Sequence, residues 1–362
     1  MKAPNNYSRF VRATGAIVLA VIGLSGCAAN EQGDTRSALV GTLTAAGSSA
    51  QAAAQETWVS AFQRANSRVT VNYDPTGSGA GREQFIGGGV DFAGSDSALS
   101  DEEMAGEFAA CAPGTTAIDL PVYVSPLVLI YNVEGVRQLR LDAAAIAGIF
   151  SRAVKKWNDP AIVALNPEAN LPDQAISAVH RSDDSGTTKN FADYLHQNVP
   201  DVWPAAPADA FPFDSGEGAQ GNSGVVSAVT NGRNTIGYAD ASRAGGLDVA
   251  ELKVGDSFVA YSAKAAAAII DASPIVPRDN PNDLVIDVDR QSSAPGVYPL
   301  VLVSYLIACQ NYANADKSAL LKAYFASIAS PAGQAEAASG AGSAPISEAF
   351  SARVLQAIDS IQ

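Results

Sequence analysis

Ile118-Asp119-Leu120-Pro121-Val122-Tyr123-Val124-Ser125-Pro126-Leu127-Val128-Leu129-Ile130-Tyr131 is long, apolar and rich in β-branched residues, and it reads as one extended strand. A second run of this kind, Val297 to Ile307, lies far away in the sequence. Two long strands so widely separated fit a pair of cross-overs between two lobes. The middle of the chain is then inserted into a lobe made by its two ends. The expected boundaries are residues 40–125 with 297–362 for lobe I and 126–296 for lobe II.

Working outward, short apolar runs are each followed by a Gly/Ser loop and then a helical stretch, which predicts an α/β fold with a mainly parallel sheet. Leu39 to Ala45 leads through Gly47-Ser48-Ser49 into a helix with Ala54, Trp58, Ala61, Phe62 and Ala65 on one face. Ser48 with Gln51 and Ser100 with Glu103 are candidate capping boxes. Val69, Val71 and Tyr73 alternate before Thr76-Gly77-Ser78-Gly79-Ala80-Gly81 and a short helix that ends at Gly87-Gly88-Gly89. Val90-Asp91-Phe92-Ala93-Gly94-Ser95-Asp96 is a strand entering a polar loop. The Ala-rich stretch 263–268 is read as helix, and Trp58, Trp157 and Trp203 as core.

The 362 residues suffice for two domains with real cores, and 47% of them are hydrophobic, so the chain is globular rather than disordered. A formal charge of −14 argues against nucleic acid and against peripheral binding to anionic lipid. At the start of the chain, Lys2, Arg9 and Arg12 precede an apolar stretch, Ala16 to Leu24, too short to span a bilayer. It ends in Leu24-Ser25-Gly26-Cys27, which resembles the bacterial lipobox. The resemblance implies a signal peptide over 1–26, a diacylated Cys27, a polar tether over 27–39 and a protein lipid-anchored on the extracytoplasmic face of the cell membrane. Cleavage there would remove three positive and no negative charges, taking the formal charge to −17. Cys111 and Cys309 would then sit in an oxidising compartment, where a disulfide is expected, the alternative being two buried thiols.

Three loops place small residues and a hydroxyl directly before a helix: Gly47-Ser48-Ser49-Ala50, Thr76-Gly77-Ser78-Gly79 and Asp184-Ser185-Gly186-Thr187-Thr188. Unpartnered N–H groups and the macrodipole at a helix start favour an anion. Any one of these loops is also what a simple N-cap and turn looks like. Arg181 ends the apolar strand Ala175 to Val179 and carries a planar donor fork suited to oxyanions, with Asp183 placed to brace it. Asp96 is the informative oddity. An ionised carboxylate only accepts hydrogen bonds, so it repels a fully deprotonated anion and accepts one that still carries a proton.

The strings AGSSA, TGSGAG, VDFAGSD, IFSRAVKKWND, HRSDDSGTT and GNSGVV, in this order and spacing, resemble the phosphate-binding lipoproteins of phosphate-specific ABC importers (PstS-type), from about Leu43 to Phe350. That resemblance implies a two-lobed periplasmic-binding-protein-like fold of type II with phosphate in the inter-lobe cleft, and no metal or cofactor. It implies contacts from Ser49, Ala50 (backbone), Ser78, Asp96, Arg181, Ser185, Gly186 and Thr187, with Asp183 supporting Arg181. It further implies the permease and ATPase subunits of a phosphate importer as partners. Many relatives read Gly-Ala-Thr-Phe in the first loop; here Ser49 keeps the hydroxyl and Ala50 removes an aromatic wall. Other readings are a binding protein for another oxyanion or a phosphate ester, a phosphatase using Ser49 or Ser185, and an adhesin or scaffold. Catalysis by serine would need a base or metal, and the chain has only His180 and His196.

Overall fold

The computed structural model describes residues 39–362. The signal peptide expected over 1–26, the lipid site Cys27 and all but the last residue of the 27–39 tether lie outside those residues. The first stretch comprises β1 (Gly41–Gly47), α1 (Ala52–Ala65), β2 (Val69–Asp74), α2 (Ser78–Ile86), β3 (Phe92–Ser95), a short α3 (Asp101–Met104) and the long β4 (Ala117–Asn132). Next come β5 (Arg140–Leu141), α4 (Ala143–Phe150), α5 (Pro160–Val163), β6 (Ser177–Arg181), α6 (Gly186–Asn198), β7 (Glu217–Ala219), α7 (Gly221–Asn231) and β8 (Thr235–Asp240). The short β9 (Asp248–Val249), β10 (Glu251–Val254) and β11 (Ser257–Val259), α8 (Ala263–Ala272), β12 (Ile275–Val276) and β13 (Val285–Ile286) lead to β14 (Val301–Cys309). Helices α9 (Ala315–Ala329), α10 (Pro331–Ala341) and α11 (Glu348–Asp359) follow it.

One sheet runs in the order β2-β1-β3-β14-β4-β8-β6-β7, with β9 also pairing β4. The run that reads as a long strand is β4, and it serves both ends of this sheet. Residues 117–126 pair with β14 and residues 127–132 with β8. The sheet is mixed rather than mainly parallel. β1 is parallel to β2 and β3, and β6 to β7 and β8, but β14 is antiparallel to both β3 and β4. A strand that returns to the first half after a long insertion runs back along the one that left it.

Two prolines in β4 shape this junction, because each removes an N–H from the ladder. Register with β14 shifts between Ser304, opposite Tyr123, and Tyr305, opposite Pro121, leaving Val122 as the extra residue. The Val122 carbonyl accepts from Gln334 Nε2 at 2.9 Å instead. Pro126 falls where β4 changes partner from β14 to β8. The bulge matters for function: bulges re-aim neighbouring side chains, and Ser304 beside this one reaches into the site described below.

Trp58, Trp157 and Trp203 are all buried core residues, as expected. The Trp58 indole donates to Gly333 O at 2.8 Å and that of Trp157 to Asn234 O at 3.2 Å, so two large apolar bodies are buried with their polar atoms satisfied. On α1, Ala54, Trp58 and Phe62 are buried, Ala61 is half-buried and Ala65 is exposed. Gly47 has φ +144°, and a Cβ there would lie 1.9 Å from the Gly94 carbonyl oxygen. Only glycine lets β1 and β3 approach so closely at the ends that carry the site. Cys111 and Cys309 form a disulfide with Cα atoms 5.2 Å apart, the outcome favoured by an oxidising compartment over two free thiols.

Asp240, at the end of β8, is fully buried. Its Oδ1 accepts from Ser242 N at 2.8 Å and the Tyr123 hydroxyl at 3.1 Å, while Oδ2 has no partner. Burial, with a smaller push from the Asp96 charge, raises its pKa to about 6. A carboxyl raised above its unfolded value, about 3.9, contributes stability below pH 4 and loses it as pH rises through 6. Two pH units correspond to about 3 kcal/mol. Asp240→Asn should therefore gain on the wild type between pH 4 and 7 by up to about that amount, whatever fixed offset the amide brings. Urea midpoints of ligand-free protein across this range test it, and parallel pH profiles would contradict it.

Candidate functional site

The C-terminal ends of β1, β3 and β6 meet the starts of α1, α2 and α6, the position where open α/β sheets hold ligands. The Asp96 carboxylate lies at the centre, 4% exposed. Its Oδ1 accepts from the hydroxyls of Ser48 at 2.5 Å and Ser304 at 2.6 Å. Its Oδ2 accepts from the Thr187 hydroxyl at 2.9 Å. The same Thr187 oxygen accepts from Arg181 Nη1 and from Asn222 Nδ2, each at 3.3 Å. Asp96 and Arg181 are thus one hydroxyl apart.

Arg181 is itself 2% exposed. It grips Asp183 through two bonds, from Nε to Oδ1 at 2.7 Å and from Nη2 to Oδ2, which leaves Nη1 facing Thr187. Gly221 N also donates to Asp183 Oδ1 at 3.0 Å. Burial pushes the Asp183 carboxyl up, but the Arg181 bonds and charge outweigh it and hold the pKa below the ordinary value. For Asp96 the balance goes the other way. Burial raises its pKa, and bonds from Ser304, Ser48 and Thr187 with the Arg181 charge offset that only in part. The Arg181–Asp183 pair is neutral and Asp96 adds a negative charge, so an anion here must be held by hydroxyl and N–H dipoles.

The other expected residues stand around this centre. Ser49 Oγ accepts from Asn222 N at 3.1 Å and Nδ2 at 3.0 Å. The Ala50 N–H donates to Ser48 Oγ at 3.0 Å. Ser78 begins α2 and accepts from Asp96 N at 3.1 Å. Ser185 caps α6 by accepting from Thr188 N at 3.2 Å, which leaves its hydroxyl proton free to donate elsewhere. Gly186 packs directly on the Asp96 backbone, and Asn190 Nδ2 ties the two by donating to Asp96 O at 2.7 Å and Gly186 O at 2.9 Å. Gly79 N donates to Asp184 O at 3.1 Å, a second link between the α2 and α6 loops.

Three further residues shape the site. Ser48 is not a plain cap; it donates to Asp96 while accepting from Ala50 N and Gln51 N. The capping box expected with Gln51 does not close, because the Gln51 side chain donates instead to Ser304 Oγ at 2.7 Å and Tyr305 O at 2.9 Å. The Ser100–Glu103 box does form. Ser304 is the one serine in the run Val297 to Ile307, a signal visible in the sequence. Asn222, in the GNSGVV string, is fully buried and bridges Ser49, Thr187 and Asp240 N. Asp91 of VDFAGSD is structural: it accepts from Thr44 N at 2.7 Å and pairs with Lys317 at 2.8 Å. His180 Nδ1 bonds Arg181 O and its ring stacks on Phe211, while His196 Nδ1 bonds Trp203 O, so these two imidazole nitrogens are engaged away from Ser49 and Ser185.

The shared strand and the loops converging from both ends of the sheet define a two-lobed periplasmic-binding-protein-like chain. A family model described as a PBP superfamily domain matches residues 32–332. Phosphate-binding protein PstS 3 of Mycobacterium leprae is 36% identical over 96% of each chain, and phosphate-binding protein PstS2 of Mycobacterium bovis is 35% identical over 88% of this chain and 87% of its own. The chain belongs to the PBP superfamily and, within it, to the PstS phosphate-binding proteins. Among solved structures, a phosphate-binding protein from Stenotrophomonas maltophilia matches with a TM-score of 0.69 at 20% identity, over 88% of this chain and 94% of that one. PfluDING, a high-affinity periplasmic phosphate-binding protein solved with phosphate, matches with 0.67 at 21% identity, over 87% and 92%.

Proposed function

We propose that this chain captures inorganic phosphate, as HPO₄²⁻ or H₂PO₄⁻, outside the cytoplasm and hands it unchanged to the permease and ATPase subunits of a phosphate ABC importer. Residues 40–125 with 297–362 form one lobe and 126–296 the other, and closure lets the anion bond both sides at once. The contacts are Ser49, the Ala50 backbone, Ser78, Asp96, Arg181, Ser185, Gly186 and Thr187, with Asp183 bracing Arg181. Diacylation of Cys27 anchors the protein to the membrane. The relatives described above, PstS 3 of Mycobacterium leprae and PstS2 of Mycobacterium bovis, are named phosphate-binding proteins and support the ligand.

One observation carries the reading: a single buried carboxylate stands among donors, one hydroxyl away from a buried Arg. A fully deprotonated anion meets repulsion at Asp96, while a protonated phosphate donates to it. Asp96→Asn should admit sulfate, measured by calorimetric competition against phosphate. Because burial raises the Asp96 pKa, sulfate binding to the wild type should also strengthen as pH falls toward that value, and the Asn variant should show no such trend. Continued exclusion of sulfate by the variant would defeat the acceptor argument.

A further inference from the structure

A second set of bonds crosses the molecule beside the anion site. Arg82 on α2 is 8% exposed. It donates from Nε to Glu103 at 2.8 Å, from Nη1 to Ser95 Oγ at 3.1 Å and from Nη2 to Asp209 Oδ2 at 2.6 Å. Ser97, just after β3, donates to the other Asp209 oxygen at 2.7 Å. Asp209 belongs to the segment between α6 and β7, where Phe211 and Phe213 pack edge-on against Trp203. Its own main-chain carbonyl accepts from Ser185 N at 3.0 Å, the residue that caps α6.

One residue therefore faces two ways. Its carboxylate is held by Arg82 and Ser97 from one end of the sheet, and its backbone holds the α6 loop of the other. We propose that Asp209 is a latch: the grip of Arg82 and Ser97 on its carboxylate keeps the closed form shut and sets how long phosphate stays bound. The proposal rests on the phosphate reading above. In an open form the Asp209 carboxylate returns to water while Arg82 keeps Glu103 and Ser95 on its own side, so the Arg82–Asp209 contact stabilises the closed state alone. A contact made only after closure acts on release rather than on encounter.

The test is stopped-flow phosphate binding to the wild type, Asp209→Asn and Arg82→Lys. Asp209→Asn should release phosphate roughly ten- to hundredfold faster, the range for loss of a mostly buried charge contact, with association within about threefold of wild type. Sulfate should still be excluded, and the urea midpoint of the phosphate-free protein should not move. Arg82→Lys, which keeps the charge, should release more slowly than Asp209→Asn. Wild-type release by Asp209→Asn overturns the latch, as does a fall in the phosphate-free urea midpoint that matches the lost affinity. A wild-type chain that binds no phosphate would sink the ligand assignment instead. The latch is then judged on arsenate, sulfate and molybdate: whichever of them raises the thermal midpoint of the wild type should leave Asp209→Asn faster by the same factor, and an unchanged release rate, or stabilisation by none of them, overturns it.

Discussion

Replacing Arg181 with Ala should weaken phosphate binding by about 2–5 kcal/mol, roughly 30- to 4,000-fold. The side chain is 2% exposed and is the cation within one hydroxyl of Asp96. Without it Asp183 loses both of its guanidinium bonds, and two carboxylates remain in a poorly solvated pocket with no cation between them. Removing one partner of a buried pair costs more than the pair contributed, because the other charge stays behind. Arg181→Lys should fall between the two, since it keeps the charge and loses the planar fork. Isothermal titration of the three proteins decides the matter; equal affinities would mean the anion binds elsewhere.

Gly186→Ala should have an effect of similar size through shape alone. A Cβ at this position would lie 2.7 Å from Asp96 C and Cβ and 2.8 Å from Ser97 N. Two of these three are backbone atoms at the end of β3, which cannot rotate aside. The added methyl would wedge the start of α6 away from Asp96, and losing a hydrogen bond to a charged group there costs about 1.5–3 kcal/mol, roughly ten- to hundredfold in affinity. The fold itself should tolerate the change, because Ala favours the helix by up to about 1 kcal/mol over Gly. The expected signature is lost affinity with an unchanged or raised urea midpoint. Wild-type affinity in this variant would show that the two loops do not close on each other around the ligand.

Much of this architecture was legible from local pattern. The strand from Ile118 to Tyr131 announced itself by composition, and the structure extends it by only one residue at each end. The Gly/Ser loops before helices, the Arg181–Asp183 pair and the Asp96 position all come from short stretches whose chemistry is self-contained. What was not legible depends on register between distant segments. Asn222 meets Ser49 across 173 residues and Ser304 meets Asp96 across 208. The Ser304 contact also depends on a bulge opposite Pro121, which apolar periodicity does not reveal. Gln51 illustrates the competition: local propensity offered a capping box, and two buried acceptors on β14 held its amide instead.

The bond between Cys111 and Cys309, 198 positions apart, closes the intervening chain into a covalent ring that contains Arg181 and the whole α6 loop. A single proteolytic nick anywhere inside that ring leaves one molecule rather than two fragments. The topology therefore confers tolerance to such cuts in addition to any gain in folding free energy.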